Sequence, residues 1–164
     1  MEEQHYSGFL RLLRNPVRFR LYLLTRLPSA FFSGLRIARA DEVSCAVNVP
    51  YKWFTRNPFR STYFACLSMA AEMSTGIPAM AAIYGRNPPV SMLVVGIEGN
   101  FQKKATGRTT FVCADGAAIQ DAVDRCIATG EAQVVRARST GTGPGGEIIA
   151  EFYLTWSFKV KARK

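Results

Sequence analysis

The sequence predicts an α+β fold in which one antiparallel sheet wraps a single long buried helix, and three observations carry that prediction. The segment from Ser61 to Thr75 spreads Tyr63, Phe64, Leu67, Ala70, Ala71 and Met73 around the whole helical circumference, so a helix there is surrounded by protein. The segment from Ile148 to Lys161 alternates without a break: Ile148, Ala150, Phe152, Leu154, Trp156, Phe158 and Val160 share one face, Glu151, Tyr153, Thr155, Ser157, Lys159 and Lys161 the other. The order of elements is helical cap, strand, long helix, two strands, short helix and two strands, which suits an antiparallel sheet with the helix in its lap. At 164 residues and 48% hydrophobic content, one domain is expected, burying roughly 70% of its unfolded surface. Residues 1–34 read as an N-terminal helical cap on a body spanning 35–164.

The cap is helical in pattern and basic. Asn15-Pro16 is placed as N-cap and first helical residue for a segment through Phe19, Leu21, Leu24 and Leu27, which Pro28 ends or kinks. Arg11, Arg14, Arg18, Arg20 and Arg26 suit a membrane-surface helix, and the leucines and aromatics equally suit core cover with a solvated basic face. Core cover is the favoured reading. Val43, Cys45, Val47 and Val49 then alternate as a half-buried strand closed by Pro50. Gly85 to Pro89 breaks the chain after the buried helix. Met92 to Lys104 reads as a strand with Val95, Ile97 and Phe101 on one side and Glu98, Asn100 and Gln102 on the other. Thr109 to Ala114 is the next strand, and Asp115 is read as the N-cap of a helix that Gly130 ends. Ala132 to Ser139 and the long final strand flank the turn Gly141 to Gly146, which lacks the spacing and the following helix of a phosphate loop.

One acidic residue stands out against this apolar background. Glu72 lies inside the buried helical run, and an ionised carboxylate without a partner there is disfavoured by several kcal/mol. It must be protonated, paired or facing a cleft. Ser61, Ala65, Ser68, Glu72 and Thr75 fall on one stripe of small or polar side chains, where a ligand could approach. A structural ion pair with one of the 21 basic residues is the competing reading.

Composition excludes several chemistries. The single histidine, His5, leaves no multi-histidine metal site within one chain, and any histidine-dependent triad would have to use that residue. Cys45, Cys66, Cys113 and Cys126 have no CxxC spacing and read as small buried hydrophobes in a reducing compartment. No metal ligand set is expected. A formal charge of +9 fits nucleic acid, an anionic membrane surface or a phosphate-rich ligand. The cations are spread over the cap, Lys103, Arg136, Arg138 and the tail from Lys159, without the aromatic ladder of a single-strand binder, so no nucleic acid partner is expected. The chain lacks a run of about 18 apolar residues and opens Met1-Glu2-Glu3, where a signal peptide carries positive charge. A soluble, cytoplasmic protein is the expectation.

The order of elements, together with Asn57 and Glu72, resembles the hotdog superfamily. In its phenylacetate-type thioesterases an Asn opens a loop, a His-Gly-Gly run starts the helix, and an acidic residue follows the Asn by the same fifteen positions that separate Asn57 from Glu72. The chain looks closer still to an uncharacterised bacterial branch, a domain of unknown function. That branch shares the helical cap, the Asn-to-Glu helix, a Lys-Ala-x-Gly segment (Lys104 to Gly107) and a Trp-x-x-Lys ending (Trp156 to Lys159), over roughly residues 8 to 160. The pattern is broken where the family's loop glycine falls at Arg60 and its His-Gly-Gly run at Tyr63, Phe64 and Ala65.

The resemblance implies an acyl-CoA thioesterase, with coenzyme A present only as part of the substrate and no separate cofactor. It implies Glu72 as general base or nucleophile, Asn57 orienting water or thioester, and the amides of Phe64 and Ala65 as oxyanion donors. Arg60, Tyr63, Ser68, Thr75, Lys103, Lys104 and Arg108 would bind substrate, the last three at the coenzyme A phosphates; a solvated basic turn is the alternative for those three. A homodimer is implied, with pairing into tetramers left open. The alternative on the same fold is a non-catalytic acyl-CoA or fatty-acyl binding protein. A dehydratase is disfavoured, because that chemistry in the superfamily uses a histidine which the matching segment lacks. Peripheral membrane contact through the basic cap is the less favoured partner reading.

Overall fold

The computed structural model describes residues 13, 15–41 and 43–162; His5, Arg11 and Arg14 lie outside the described residues. Helix α1 (Pro16–Arg26) begins as its sequence requires, with Asn15 Oδ1 accepting from the amides of Val17 at 3.1 Å and Arg18 at 3.0 Å. The helix ends at Arg26, just before Pro28, so this proline is the stop read from the sequence and not a kink. Pro28 opens a second helix, α2 (Pro28–Ser33), which Gly34 closes in the left-handed conformation at φ 77°. Phe19, Leu23 and Ala30 from these two helices join the core, which is the cover the apolar residues of the cap predict. Val17, Leu21 and Leu24 remain exposed.

The sheet has six strands in the order β1-β2-β4-β5-β6-β3: β1 (Arg36–Ala40), β2 (Cys45–Val49), β3 (Val90–Phe101), β4 (Thr109–Cys113), β5 (Gln133–Thr142) and β6 (Ile148–Val160). Each neighbouring pair is antiparallel. Strand β1 is absent from the sequence reading, because Arg36-Ile37-Ala38-Arg39-Ala40 has no apolar alternation; it is an edge strand with only Ile37 and Ala40 half-buried. The alternation of β6 holds: Ala150, Phe152, Leu154, Trp156 and Phe158 are buried on one face.

Strand β3 departs from the simple alternation. Its register with β6 shifts between Val94 and Gly96, a bulge that changes which parity faces inward. Before it, Met92 and Val94 stand opposite Phe158 and Trp156; after it, Ile97 and Phe101 stand opposite Leu154 and Ala150. Val95 sits at the irregularity and does not share one regular face with Ile97 and Phe101. Strand β5 also runs further than its apolar pattern, through Gly141 to Thr142. A side chain at Gly141 would strike the Phe111 ring at 2.5 Å, so the ring lies flat over bare backbone there.

Helix α3 (Phe64–Ile83) packs against the sheet, meeting β2, β4 and β5 most extensively. It starts three residues later and ends eight later than the apolar run suggests, passing through Gly76 and Pro78. Burial on all sides outweighs the poor helix propensity of those two residues. Its length and mean hydropathy of 1.2 would suit a membrane span, but 72% of that stretch is buried inside the fold, so it is the core helix. Helix α4 (Gly116–Thr129) packs beside it and is closed by Gly130 at φ 73°. Asp115 precedes α4 but makes no side-chain cap; its carboxylate accepts from the Arg138 amide of β5 at 2.6 Å instead. All four cysteines are free and buried, and burial pushes the Cys45 thiol up to about 12 and that of Cys113 to about 11. On the outer face of the sheet Arg136 pairs with Glu98 and Arg138 with Glu151, so neither stands as a lone cation.

Candidate active site

Strand β2 leads through Pro50 into a loop that is fixed before it reaches α3. The Thr55 hydroxyl, fully buried, donates to the Pro50 carbonyl at 2.7 Å and accepts from the Lys52 amide at 3.1 Å, holding the single turn of 3-10 helix at Trp53–Thr55. Asn57 closes the next bend. Its Oδ1 accepts from the amides of Phe59 at 3.0 Å and Ser61 at 3.1 Å, while its Nδ2 donates to Ser61 Oγ at 3.1 Å. The carboxamide is therefore engaged within its own loop, where it shapes the approach to α3.

Arg60 occupies the tightest point of that bend. It has φ 60°, the left-handed conformation, and no other non-glycine residue among the described residues has a positive φ. This is the position where the resemblance places a glycine, and the backbone explains why glycine suits it. Arg60→Gly is expected to stabilise the fold by up to about 1 kcal/mol, measured by chemical denaturation. Any loss of substrate affinity would appear separately, as a raised KM.

Thr62 ties the loop to the turn between β3 and β4: its amide donates to the Ala105 carbonyl at 2.8 Å and its hydroxyl to the same oxygen at 3.2 Å. Ala105 is buried, whereas Lys103, Lys104 and Arg108 around it are exposed. The fold thus brings that basic turn against the segment entering α3. Tyr63 precedes the helix without giving a side-chain cap. Cys66 and Leu67 donate to the Tyr63 carbonyl, while the amides of Phe64 and Ala65 have no acceptor among the described residues. Two free N–H groups at a helix N-terminus favour negative charge. Tyr63 and Phe64 are exposed, not core, with ring centroids 5.0 Å apart in an edge-on pair. The apolar circumference read from the sequence therefore begins only after the first turn.

Glu72 lies two turns along. Its side chain is mostly buried, burial holds its carboxyl above the ordinary 4.5, and it makes no ion pair or hydrogen bond among the described residues. A structural ion pair does not account for it. The space for the carboxyl comes from Gly76, one turn on: a methyl group there would lie 3.3 Å from Glu72 Oε1 and 3.3 Å from Trp156 Cζ2. Carboxylate and indole therefore meet over bare backbone. Ser68, on the Glu72 face, donates to the Phe64 carbonyl at 2.9 Å and stays half-buried.

Thr75 has a fully buried hydroxyl that donates to the Glu72 carbonyl at 3.0 Å and accepts from Trp156 Nε1 at 3.0 Å, so it anchors the indole beside the carboxylate. Helical spacing put Thr75 on the Glu72 stripe, but hydroxyls return to the preceding turn when their face is covered. The sequence reading missed Gly76 and the role of Trp156; a glycine four residues after a buried glutamate was the available signal. It also missed Ser74 and Ser139, whose buried hydroxyls lie 2.7 Å apart and join α3 to β5. A cleft of about 780 Å³ between α1 and β1, lined by Val17, Phe19, Arg36 and Ile37 among others, contains none of the predicted site residues.

No protein-family model matches this chain, and no curated protein matches it. Solved structures do. A protein of unknown function from Pseudomonas aeruginosa, named a probable thioesterase, aligns with a TM-score of 0.75 at 18% identity, over 89% of this chain and 97% of that one. A thioesterase family protein from Silicibacter pomeroyi aligns at 0.63 and 18% identity, over 94% and 100%. A thioesterase from Haemophilus influenzae aligns at 0.62 and 15% identity, over 87% and 91%. The chain has the hotdog fold, a sheet wrapped around one long central helix.

Proposed function

We propose that this chain is an acyl-CoA thioesterase that works as a homodimer in the cytoplasm. The observation that carries the reading is Glu72, a mostly buried carboxylate unpartnered among the described residues, on the helix whose N-terminal amides at Phe64 and Ala65 find no acceptor among them. The names of the structural neighbours support the same chemistry. In the proposed reaction Glu72 takes a proton from water as the water oxygen bonds to the thioester carbonyl carbon. Negative charge on the carbonyl oxygen is met by the two amides, each worth roughly 3 to 4 kcal/mol in such sites. The carbon–sulfur bond then breaks and the proton passes to the thiolate, giving a carboxylic acid and free coenzyme A. Direct attack by the Glu72 carboxylate, followed by hydrolysis of the anhydride, satisfies the same balance.

Asn57 serves this site by fixing the entry loop. Ser68 and the exposed rings of Tyr63 and Phe64 border the approach to Glu72, with Arg60 at the bend before them, and Lys103, Lys104 and Arg108 offer cations to the phosphates of coenzyme A. The rings of Tyr63 and Phe64, standing where the family carries glycines, favour the second reading, a binding protein that holds an acyl chain without turning it over. The test is release of free coenzyme A from short, medium and long acyl-CoAs, followed by chromatography. Turnover on any chain length supports hydrolysis, and none on the whole panel leaves the binding protein.

Strand β3 supports the homodimer. It is twelve residues long, lies at the edge of the sheet and exposes Leu93, Val95, Ile97 and Phe101. A long apolar edge strand is an aggregation site unless another chain covers it, and a two-fold pairing of this strand would do so. Ile97→Lys is expected to convert the dimer to monomer at micromolar concentration in analytical ultracentrifugation. An unchanged sedimentation coefficient would place the interface elsewhere.

A further inference from the structure

Trp53 is 82% exposed, more than any other large apolar side chain among the described residues. It is not isolated. Its ring centroid lies 6.5 Å from that of Phe54, which lies 6.3 Å from that of Phe32 at the end of α2, and both phenylalanines are more than half exposed. Burying such rings stabilises a fold, so this surface forgoes stability within the single chain. Nor is it a loose loop: Thr55 fixes the turn from below, and Lys52 Nζ donates to the Phe32 carbonyl at 2.9 Å, joining the turn to α2. The aromatics are held outward by a built support.

The charge around them has one sign. From residue 43 to 71 the chain has no Asp or Glu and carries Lys52, Arg56 and Arg60; from 15 to 40 it has none either and carries five arginines. Exposed aromatic rings beside the exposed Lys52 and Arg56, with Arg39 alone of these cations paired to an acid among the described residues, match the chemistry of an anionic bilayer surface, where rings sit at headgroup depth and each cation adds attraction. The turn follows β2, beside the edge strand β1 and far from β3 in the strand order. We propose that the turn Trp53–Thr55 and the end of α2 form an interfacial anchor that docks this protein on anionic phospholipid membranes. The anchor differs from the basic helix read in the sequence: its apolar contact comes from the β2–α3 loop, and Arg18 and Arg26 of α1 add exposed charge.

The chain reports on itself. It has two tryptophans, and Trp156 is 3% exposed, so changes in emission and in acrylamide quenching belong to Trp53. The full chain is titrated with phosphatidylcholine vesicles, with and without phosphatidylserine, and binding is followed by fluorescence and by flotation. The expected result is a blue shift and loss of quenching on the phosphatidylserine vesicles alone, reversed by high salt. Phe54→Ser and Arg56→Glu are each expected to weaken binding by about tenfold or more, with the melting temperature unchanged because both side chains are exposed. No shift and no flotation on anionic vesicles overturns the proposal, as does equal binding to neutral ones. Trp53 already shielded from quencher without vesicles, in a concentration-dependent way, also overturns it and assigns the patch to a second copy of this chain.

Discussion

Glu72→Gln is expected to lower thioester turnover by about a thousandfold while raising the melting temperature at neutral pH. Both effects come from one fact, a carboxylate held in a mostly dry place without a partner. Burial raises its folded-state value above the ordinary 4.5, so the folded chain binds this proton more tightly than the unfolded chain. The stability from that proton is complete below the unfolded value and is lost as pH rises through the folded one. At neutral pH the native protein therefore carries the cost of a buried charge, and the isosteric amide removes it. Below 4.5 both side chains are neutral and the difference in melting temperature should vanish. Activity runs the other way, because a general base must be ionised: kcat/KM should fall in acid along a limb displaced above the ordinary carboxylate range. Equal turnover by a folded Glu72→Gln variant would move the base to another residue. A melting difference that is the same at every pH would show the carboxylate to be hydrated.

Glu72 was legible because an apolar helix makes any charge conspicuous. The left-handed backbone at Arg60 is held by its loop, since Asn57 and Ser61 close the bend independently of the residue at its tip. The long alternation of β6 was legible for a different reason, because a half-buried strand writes its burial directly as period two. The failures share a cause as well. Strand β1 is paired on one side only and half-buried at most, so backbone hydrogen bonding and not side-chain burial defines it. The bulge in β3 adds one residue and inverts the parity of everything after it, which no window of alternation can register. The extension of α3 past Gly76 and Pro78, and the inward turn of Thr75, depend on what the sheet places against the helix, and so on contacts distant in sequence.

Trp156→Ala is expected to destabilise the fold by about 3 to 5 kcal/mol, because the indole is almost fully buried and spans the space between sheet and helix. It stands opposite Val94 on β3 and Val135 on β5, and its Nε1 donates to Thr75 on α3. Truncation leaves the Thr75 hydroxyl without that donor and opens a void beside Glu72. Loss of stability alone would describe any large core residue, so Trp156→Phe separates the two roles. The phenyl ring keeps most of the burial, and losing the hydrogen bond costs about 1 kcal/mol, leaving a folded protein. The smaller ring no longer reaches the Gly76 backbone as the indole does, and water gains room beside the carboxylate. Its pKa should then relax toward 4.5, carrying the acid limb of kcat/KM to lower pH. A purely structural tryptophan would lower the melting temperature in the phenylalanine variant and leave that limb where it was.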